Sequence, residues 1–442
     1  MVVSIAGRGC CGCGGQPTDR AETAGEDDDL ARSIVVLIHR VEELTRRCGG
    51  RPRTKERART AEGEACDAGS CWGFSVCWSP PRRCNAVRNG QDEPEVTATA
   101  SAPAPSATSR GPVLPVSHWE AKYLDGWEFE RANGLPASRS GDSWNHYSLS
   151  YDVDANTAMF QATGQTRYLD RALEYVENVT ASAKESSSLP TSQYRDRFHG
   201  WVSYREDLQP NGVEVPLCES YFWRHATTLL RVIRQTPAVH DDPRYRQRYE
   251  KLLGFAEEHI FTKWQTRGEK DNIYRDRTHM AAHWAAISLN LSLITTDDRR
   301  RACYRTVVDT IDQRLRAQLR PNPADAAAYF WNDTWGSEQR PGQDVSHANE
   351  VLSYLVEARD HGTFWTDADM AAFSVLLTDV VWPGGTGYAA YVDGTGSDNG
   401  WFSDGFVKLG RYDAAVQQRL EQHQVANLHF AANMALNAGR LR

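Results

Sequence analysis

The chain has 442 residues, longer than one average domain and compatible with one large helical domain plus a tail. Its net charge of −8 argues against a nucleic-acid binder that neutralises phosphates with a basic surface, so an anionic ligand would need a local basic pocket. The 14 Trp and 17 Tyr are a heavy aromatic load, most of it expected in the core, although flat rings also suit the apolar faces of sugars.

Residues 1–92 are rich in Arg and Cys. Eight of the ten cysteines (Cys10, Cys11, Cys13, Cys48, Cys66, Cys71, Cys77 and Cys84) fall there, leaving Cys218 and Cys303 for the rest. Their spacing fits no zinc pattern of paired C-x2-C units, and a small disulfide module finds no support in strand or turn periodicity. Apart from a helical stretch at 29–47, this region is expected to be disordered. No apolar run reaches the length of a membrane span, and Ser33–Ile38 is too short for a signal-peptide core. Residues 93–117 turn to Ala, Ser, Thr and Pro, a composition that cannot bury enough apolar surface to order itself, and read as a linker. The folded unit is therefore expected to run from about His118 to the end, 118–442.

Beyond that point a unit repeats: an apolar helix, a short polar turn, then a second helix with a charged or aromatic opening. The second helices lie at 163–176, 240–260, 295–311, 365–381 and 409–421, with Thr or Asp placed to cap their first turns. Their apolar partners are 148–163, 217–235, 278–295, 345–361 and a weaker one near Ser403. Strand patterns are scarce. The expectation is an all-α fold of stacked helical hairpins, closing as an α/α toroid or running open as a solenoid.

In a toroid the inner helices point their N-terminal ends into one cleft, so polar residues at those ends converge from distant places. Trp144, Asn145 and His146 precede the first inner helix, and Glu219 opens the second, unless it forms a structural ion pair with a nearby arginine. Asn272, Tyr274, Arg277, His279 and His283 open the third, with Trp284 just beyond. His279 and His283 share a face by their i, i+4 spacing. Asp344, His347 and Asn349 open the fourth, where Asp344 can also serve as the helix cap. A long Gly-rich aromatic loop, 382–405, carries Tyr388, Tyr391 and Trp401, and loops of that length are uncommon without a role.

Histidine, asparagine, arginine and tyrosine are the residue types that break a uronic-acid polymer by β-elimination. The C6 carboxylate is neutralised to stabilise the developing enolate. A His or Tyr then removes the C5 proton, and a Tyr or similar donor protonates the leaving O4. No cofactor and no metal is expected. The motifs YRDRTHMAAHW, QDVSHANEV and GWFSDGFVKLGRYD, laid over helical hairpins, resemble the α/α-toroid polysaccharide lyases of the alginate and glucuronan lyase group across residues 118–440. The resemblance implies a catalytic set drawn from His279, His283, His347, Asn349, Asn145 and Tyr274, with Tyr329, Tyr388 and Tyr391 as other tyrosines for the acid or base. It implies Arg277 as a carboxylate binder and substrate contacts from Asn272, His146, Trp144, Trp284, Glu219, Tyr391 and Trp401. The sequence departs from the contiguous Asn-His pair that some of these lyases carry at the third helix, since Asn272 stands seven residues before His279, whereas Asn145 and His146 adjoin near the first.

Three alternatives stand beside it. A glycoside hydrolase on the same scaffold needs two flanking carboxylates, and Asp152, Asp154, Glu219, Asp344, Glu350, Asp398 and Asp404 are acidic candidates that form no obvious pair. A metal site using His279, His283 and His347 or Asp344 lacks the glutamate of H-E-x-x-H. A non-catalytic solenoid scaffold would repeat the same rows in every hairpin, whereas here the polar clusters differ. The expected partner is an acidic polysaccharide, with no nucleic acid and no membrane; the chain is expected to be a secreted or periplasmic monomer, secretion following from substrate size alone.

Overall fold

A computed structural model describes residues 112–205, 211–268, 272–424 and 427–442. The expectations for 1–92, and all but the last residues of the 93–117 linker, lie outside them. The described chain is mostly helical: α1 (Val116–Arg139), α2 (Ser143–Thr163), α3 (Thr166–Ser182), α4 (Pro216–Gln235), α5 (Pro243–Phe255), α6 (Thr278–Ile294), α7 (Asp298–Gln318), α8 (Val345–Asp360), α9 (Asp367–Val375), α10 (Ala414–Leu420) and α11 (Leu428–Arg440), with shorter turns between. Two antiparallel two-stranded pairs complete it, β1 (Lys184–Glu185) with β2 (His199–Gly200) and β3 (Arg320–Pro321) with β4 (Tyr329–Phe330). Among the described residues no helix is long and apolar enough to cross a membrane.

The helix starts follow from local chemistry. Asp142, Asp242, Asp297, Asp344, Asp413 and Asn427 each accept a backbone N–H of the first turn, and Thr366 forms a reciprocal capping box with Asp369. Each such cap satisfies a donor that the helix itself leaves open, worth about 1 kcal/mol. Gly164 ends α2 in the left-handed region at φ 70°, where its N–H reaches Phe160 O at 2.7 Å.

Two kinds of helix alternate. In α6 every residue but Leu293 is buried, whereas α7 buries only Tyr304, Val307, Val308, Ile311, Asp312, Leu315 and Gln318. A helix enclosed on all sides needs no polar face, and a helix against solvent needs one. The enclosed helices pack in succession, α2 on α4, α4 on α6 and α6 on α8. The series continues from α8 to the turn Gly405–Lys408, from there to α11, and from α11 back to α2. The outer helices α3 and α7 lie on the inner helices that precede them, α2 and α6, and α5 lies on α4.

Two helices differ from the sequence reading. α1 begins at Val116, inside the stretch read as linker, because Trp119 and Tyr123 are buried against the body. α11 was not anticipated; it is enclosed from His429 to Ala438 and supplies the link that returns the series to α2. The weak inner helix expected near Ser403 is only the turn Gly405–Lys408 followed by Leu409–Arg411.

Candidate functional site

The N-terminal turns of the enclosed helices place their polar side chains together. His279 and His283 stand one turn apart on α6, with ring centroids 6.4 Å apart. From α8, His347 lies over His279 with centroids 4.3 Å apart. Asp344 does two things at once: Oδ1 caps α8 by accepting His347 N–H at 3.1 Å, and Oδ2 accepts His347 Nδ1–H at 2.6 Å. The second bond fixes the Nδ1–H tautomer, which puts the lone pair of His347 on Nε2. Burial pushes the Asp344 carboxyl up, but the adjoining His347 and hydrogen bonds from His347 and Ser346 outweigh it and hold the group well below the usual carboxylate range.

His279 is 1% exposed, and neither of its ring nitrogens has a hydrogen-bond partner among the described residues. Burial, reinforced by His347, lowers its pKa well below the ordinary value, so the ring is neutral. His283 shares a 2.8 Å hydrogen bond through Nε2 with Glu350 Oε2 and a 3.3 Å bond through Nδ1 with Ser220 Oγ. Burial drives this pair towards neutrality from both sides, lowering His283 and raising Glu350.

Beside the histidines, Tyr147 and Tyr221 stack at 3.5 Å, and Tyr221 shares a hydrogen bond with Tyr151. Burial raises all three phenols, so each stays protonated. An ion network lies next to them. Arg224 donates to Asp404 at 2.7 Å and lies over the Tyr221 ring at 4.2 Å. Asp154 accepts from His429 Nε2 at 2.6 Å and lies 3.1 Å from His225 Nδ1. Lys408 Nζ sits 3.4 Å from Asp154 and 3.7 Å from Asp404 while donating to Ser353 Oγ at 2.9 Å. Burial pushes both carboxyls up, but Arg224 and Lys408 at Asp404, and Lys408 and His225 at Asp154, hold them low; burial lowers His225 to about 4.

Asp154, His225 and Asp404 form the one metal-compatible grouping found among the described residues. A cation already serves them: the Lys408 ammonium lies between the two carboxylates, and Arg224 neutralises the second. The donor set therefore works as an ion-pair hub, and a divalent ion would have to displace Lys408.

No protein-family model, no curated protein and no solved structure matches the chain.

Of the residues singled out in the sequence, His279, His283 and His347 come together. Trp401 borders the group, its ring 6.0 Å from Tyr151, and Tyr391 bridges to the backbone of Asp344. The others go elsewhere. Tyr274 packs beside α7, near Thr310 and Arg314. Asn349 is consumed in scaffolding, donating to Val345 O and Trp401 O and accepting from the backbone N–H groups of Gly405 and Phe406. Asn145 faces solvent, since one residue turns a helix by about 100°, and its neighbour His146 turns outward against Trp201 and Phe222. Arg277 is bound to Asp333 and Thr334, and Asn272 donates to Arg267 O. Trp284 is core, and Trp144, half-buried, lies tilted against the buried Tyr147. Glu219 makes the buried ion pair foreseen as the alternative, but with Lys263 at 2.6 Å rather than an arginine, and it also accepts from Trp264 Nε1 at 2.8 Å. Among the other tyrosines, Tyr329 donates to Asp369 and Tyr388 bonds His423, both away from the histidines.

The sequence reading passed over Tyr147, Tyr151, Tyr221, Arg224, His225, Lys408 and His429. Asp154, Glu350 and Asp404 were named only as unpaired acids. The cavity beneath the histidines, lined by Arg224, His225, Glu350 and Lys408, offers about 10 Å3, the room of a single water. The largest cavity described, about 790 Å3, lies on the outer side between α9 and α10, where Arg359, Asp379 and Arg419 line it. Chemistry and volume disagree about the site, and the chemistry is the better guide, because the outer groove gathers none of the neutral histidines or oriented dyads that a reaction needs.

Proposed function

We propose that the enclosed helices form an incomplete α/α toroid and that the chain is a polysaccharide lyase, cleaving a uronic-acid polymer of the alginate or glucuronan type by β-elimination. The return of the packing series from α11 to α2 supports the toroid. The observation that carries the chemistry is the close, tilted His279–His347 pair with Asp344 on His347 Nδ1. A base oriented by a carboxylate is stabilised as it becomes cationic, and a neutral histidine beside it donates a hydrogen bond where charge develops.

In this reading His347 Nε2 removes the C5 proton while His279 donates to the C6 carboxylate. The C4–C5 double bond forms as the C4–O4 bond breaks. Tyr151, half-buried and protonated, gives its proton to O4. No cofactor takes part. A polymer of this size sets the reaction outside the cell or in the periplasm, which is part of the proposal.

A second reading has one specific observation behind it. Glu350 is raised while Asp404 is held low, and a pair of carboxyls pushed apart in this way is what a glycoside hydrolase uses as acid and base or nucleophile. The full-length chain incubated with alginate and with polyglucuronate separates the two. The lyase generates the ultraviolet absorbance of a conjugated unsaturated uronate, whereas the hydrolase generates reducing ends without it. A chain that does neither is left with the scaffold reading.

A further inference from the structure

We infer that Tyr221 is a positioning residue for the elimination: its hydroxyl donates to the Tyr151 oxygen and steadies the negative charge left there once O4 has taken the proton. This rests on the reading of the chain as a lyase with Tyr151 as its acid. The hydroxyls of Tyr151 and Tyr221 share a hydrogen bond. A phenol has one proton to give and can also accept, so Tyr151 cannot donate to Tyr221 and to O4 together. For Tyr151 to serve O4, the shared bond has to run from Tyr221 to Tyr151. A bond in that direction strengthens as its acceptor turns anionic, because hydrogen bonds to charged groups are roughly twice as strong as neutral ones.

The donor is built to keep its place. Tyr221 is 1% exposed, and neighbours from three helices hold its ring. From α2, Tyr147 stacks on it at 3.5 Å with the ring planes 17° apart. From α4, the Arg224 guanidinium lies over it at 4.2 Å, and Arg224 Nε also donates to the Tyr221 carbonyl at 3.3 Å. From α6, His283 meets it edge to face at 5.0 Å. Arg224 is itself anchored on Asp404 at 2.7 Å. Tyr151 differs. It is half-buried, and its ring lies 5.0 Å from that of His429 and 6.0 Å from that of Trp401. The pair thus joins one enclosed, fixed phenol to one partly exposed phenol, the arrangement of a support and the acid that it supports.

Electrostatics gives the support its task. Burial opposes the Tyr151 phenolate and Asp404 opposes it further, while Arg224 works against both. Glu350 adds to the opposition, and the hydrogen bond from Tyr221 relieves it. Of the two relieving groups, Tyr221 is the one bonded to the oxygen where the charge appears. In the step itself the C5–H and C4–O4 bonds break, the C4–C5 double bond forms, and the Tyr151 proton passes to O4. Tyr221 keeps its own proton and donates more strongly. His347 then loses the C5 proton to solvent, and Tyr151 takes one back.

The test measures elimination kinetics of full-length wild type, Tyr221→Phe, Tyr151→Phe and the double variant on polyglucuronate or alginate. Wild type and Tyr221→Phe are also run on a uronate oligomer carrying 4-nitrophenol on O4, a group that leaves without a proton. Tyr221→Phe removes one hydroxyl and leaves the stacked ring, and its denaturant midpoint checks that it folds. On the polymer its kcat is expected to fall about 10- to 100-fold with KM unchanged, the range for a hydrogen bond to a charged group. On the nitrophenyl substrate its rate is expected to stay within about twofold of wild type, since no acid is needed there. In a chain that already carries Tyr151→Phe, Tyr221→Phe is expected to cost nothing further. A wild-type rate for Tyr221→Phe on the polymer, an equal loss on both substrates, or losses that simply add in the double variant overturn the role of Tyr221 and leave the lyase standing. Wild type that eliminates from neither substrate overturns the lyase reading and this role with it.

Discussion

Asp344→Asn separates the two jobs of Asp344. Asparagine is about as good a helix cap as aspartate, so the bond to His347 N–H at the start of α8 persists. What is lost is the charge-assisted bond to His347 Nδ1, 2.6 Å long, worth about 1.5–3 kcal/mol as a hydrogen bond to a charged group. With its oxygen on the cap, the amide turns its NH2 to His347 Nδ1 and donates to it, which selects the Nε2–H tautomer, takes the lone pair away from Nε2 and no longer steadies an imidazolium. If His347 is the base, the elimination rate falls by about 100- to 10,000-fold, the range for mis-set general bases. Asp344→Ala loses the cap as well and costs a further ~1 kcal/mol of stability. The assay pairs initial elimination rate with the denaturant midpoint of each variant. If Asp344→Asn keeps its rate within about threefold of wild type, Asp344 is a cap only, and the dyad argument fails.

Other consequences follow from the same packing. His146 is buried with its pKa lowered to about 3, below its unfolded value near 6.5, so the unfolded chain binds the extra proton as pH falls. Its share of stability is present above about pH 6.5 and is lost downward through that window. At pH 5 the loss is about 2 kcal/mol, so His146→Leu should shrink the difference in unfolding free energy between pH 7 and pH 5 by that amount; an unchanged difference would show that the site admits the proton. Glu219→Ala leaves Lys263, which is fully buried, without its nearest carboxylate, and should cost about 3–5 kcal/mol. Adding Lys263→Met should recover part of the loss in urea melts, and no recovery would refute the pairing. Gly405→Ala places a Cβ 2.0 Å from Asn349 O and 2.6 Å from Ser353 N, backbone atoms that cannot swing aside. It should destabilise by about 1–3 kcal/mol and loosen the Trp401 loop, visible as faster amide exchange at 401–406.

The part of the site legible in the sequence was the part with local spacing. His279 and His283 announce themselves at i, i+4, and Asp344 with His347 at i, i+3, because one helix places those pairs by itself. The rest depends on which helices meet. His429 reaches Asp154 across 275 positions and Arg224 reaches Asp404 across 180, and no local pattern encodes such partners. α2 and α6 show almost no amphipathic periodicity, so Tyr151 could not be sorted from core residues by it, and Lys408 sits in the turn Gly405–Lys408, too short to show a period. Asn349 misled for a related reason: its residue type suits a carboxylate contact, but both ends of its amide are committed to the backbone of 401–406. The hairpin repeat was visible because the second helices have a dry face and a wet face and, except for α3, which follows Gln165 without a side-chain cap, a capping Asp or Thr. Helix α11 was not, since the helix it packs on, α1, comes from the other end of the described chain and no local hairpin pattern joins the two.

The measurement that bears most directly on the central claim is ultraviolet absorbance of the full-length chain with polyglucuronate or alginate, run in parallel with His347→Ala. The account predicts a steady rise for wild type, from the C4–C5 double bond, and its loss in a variant that still folds. New reducing ends with no rise in absorbance, or a rise that His347→Ala leaves intact, would contradict it.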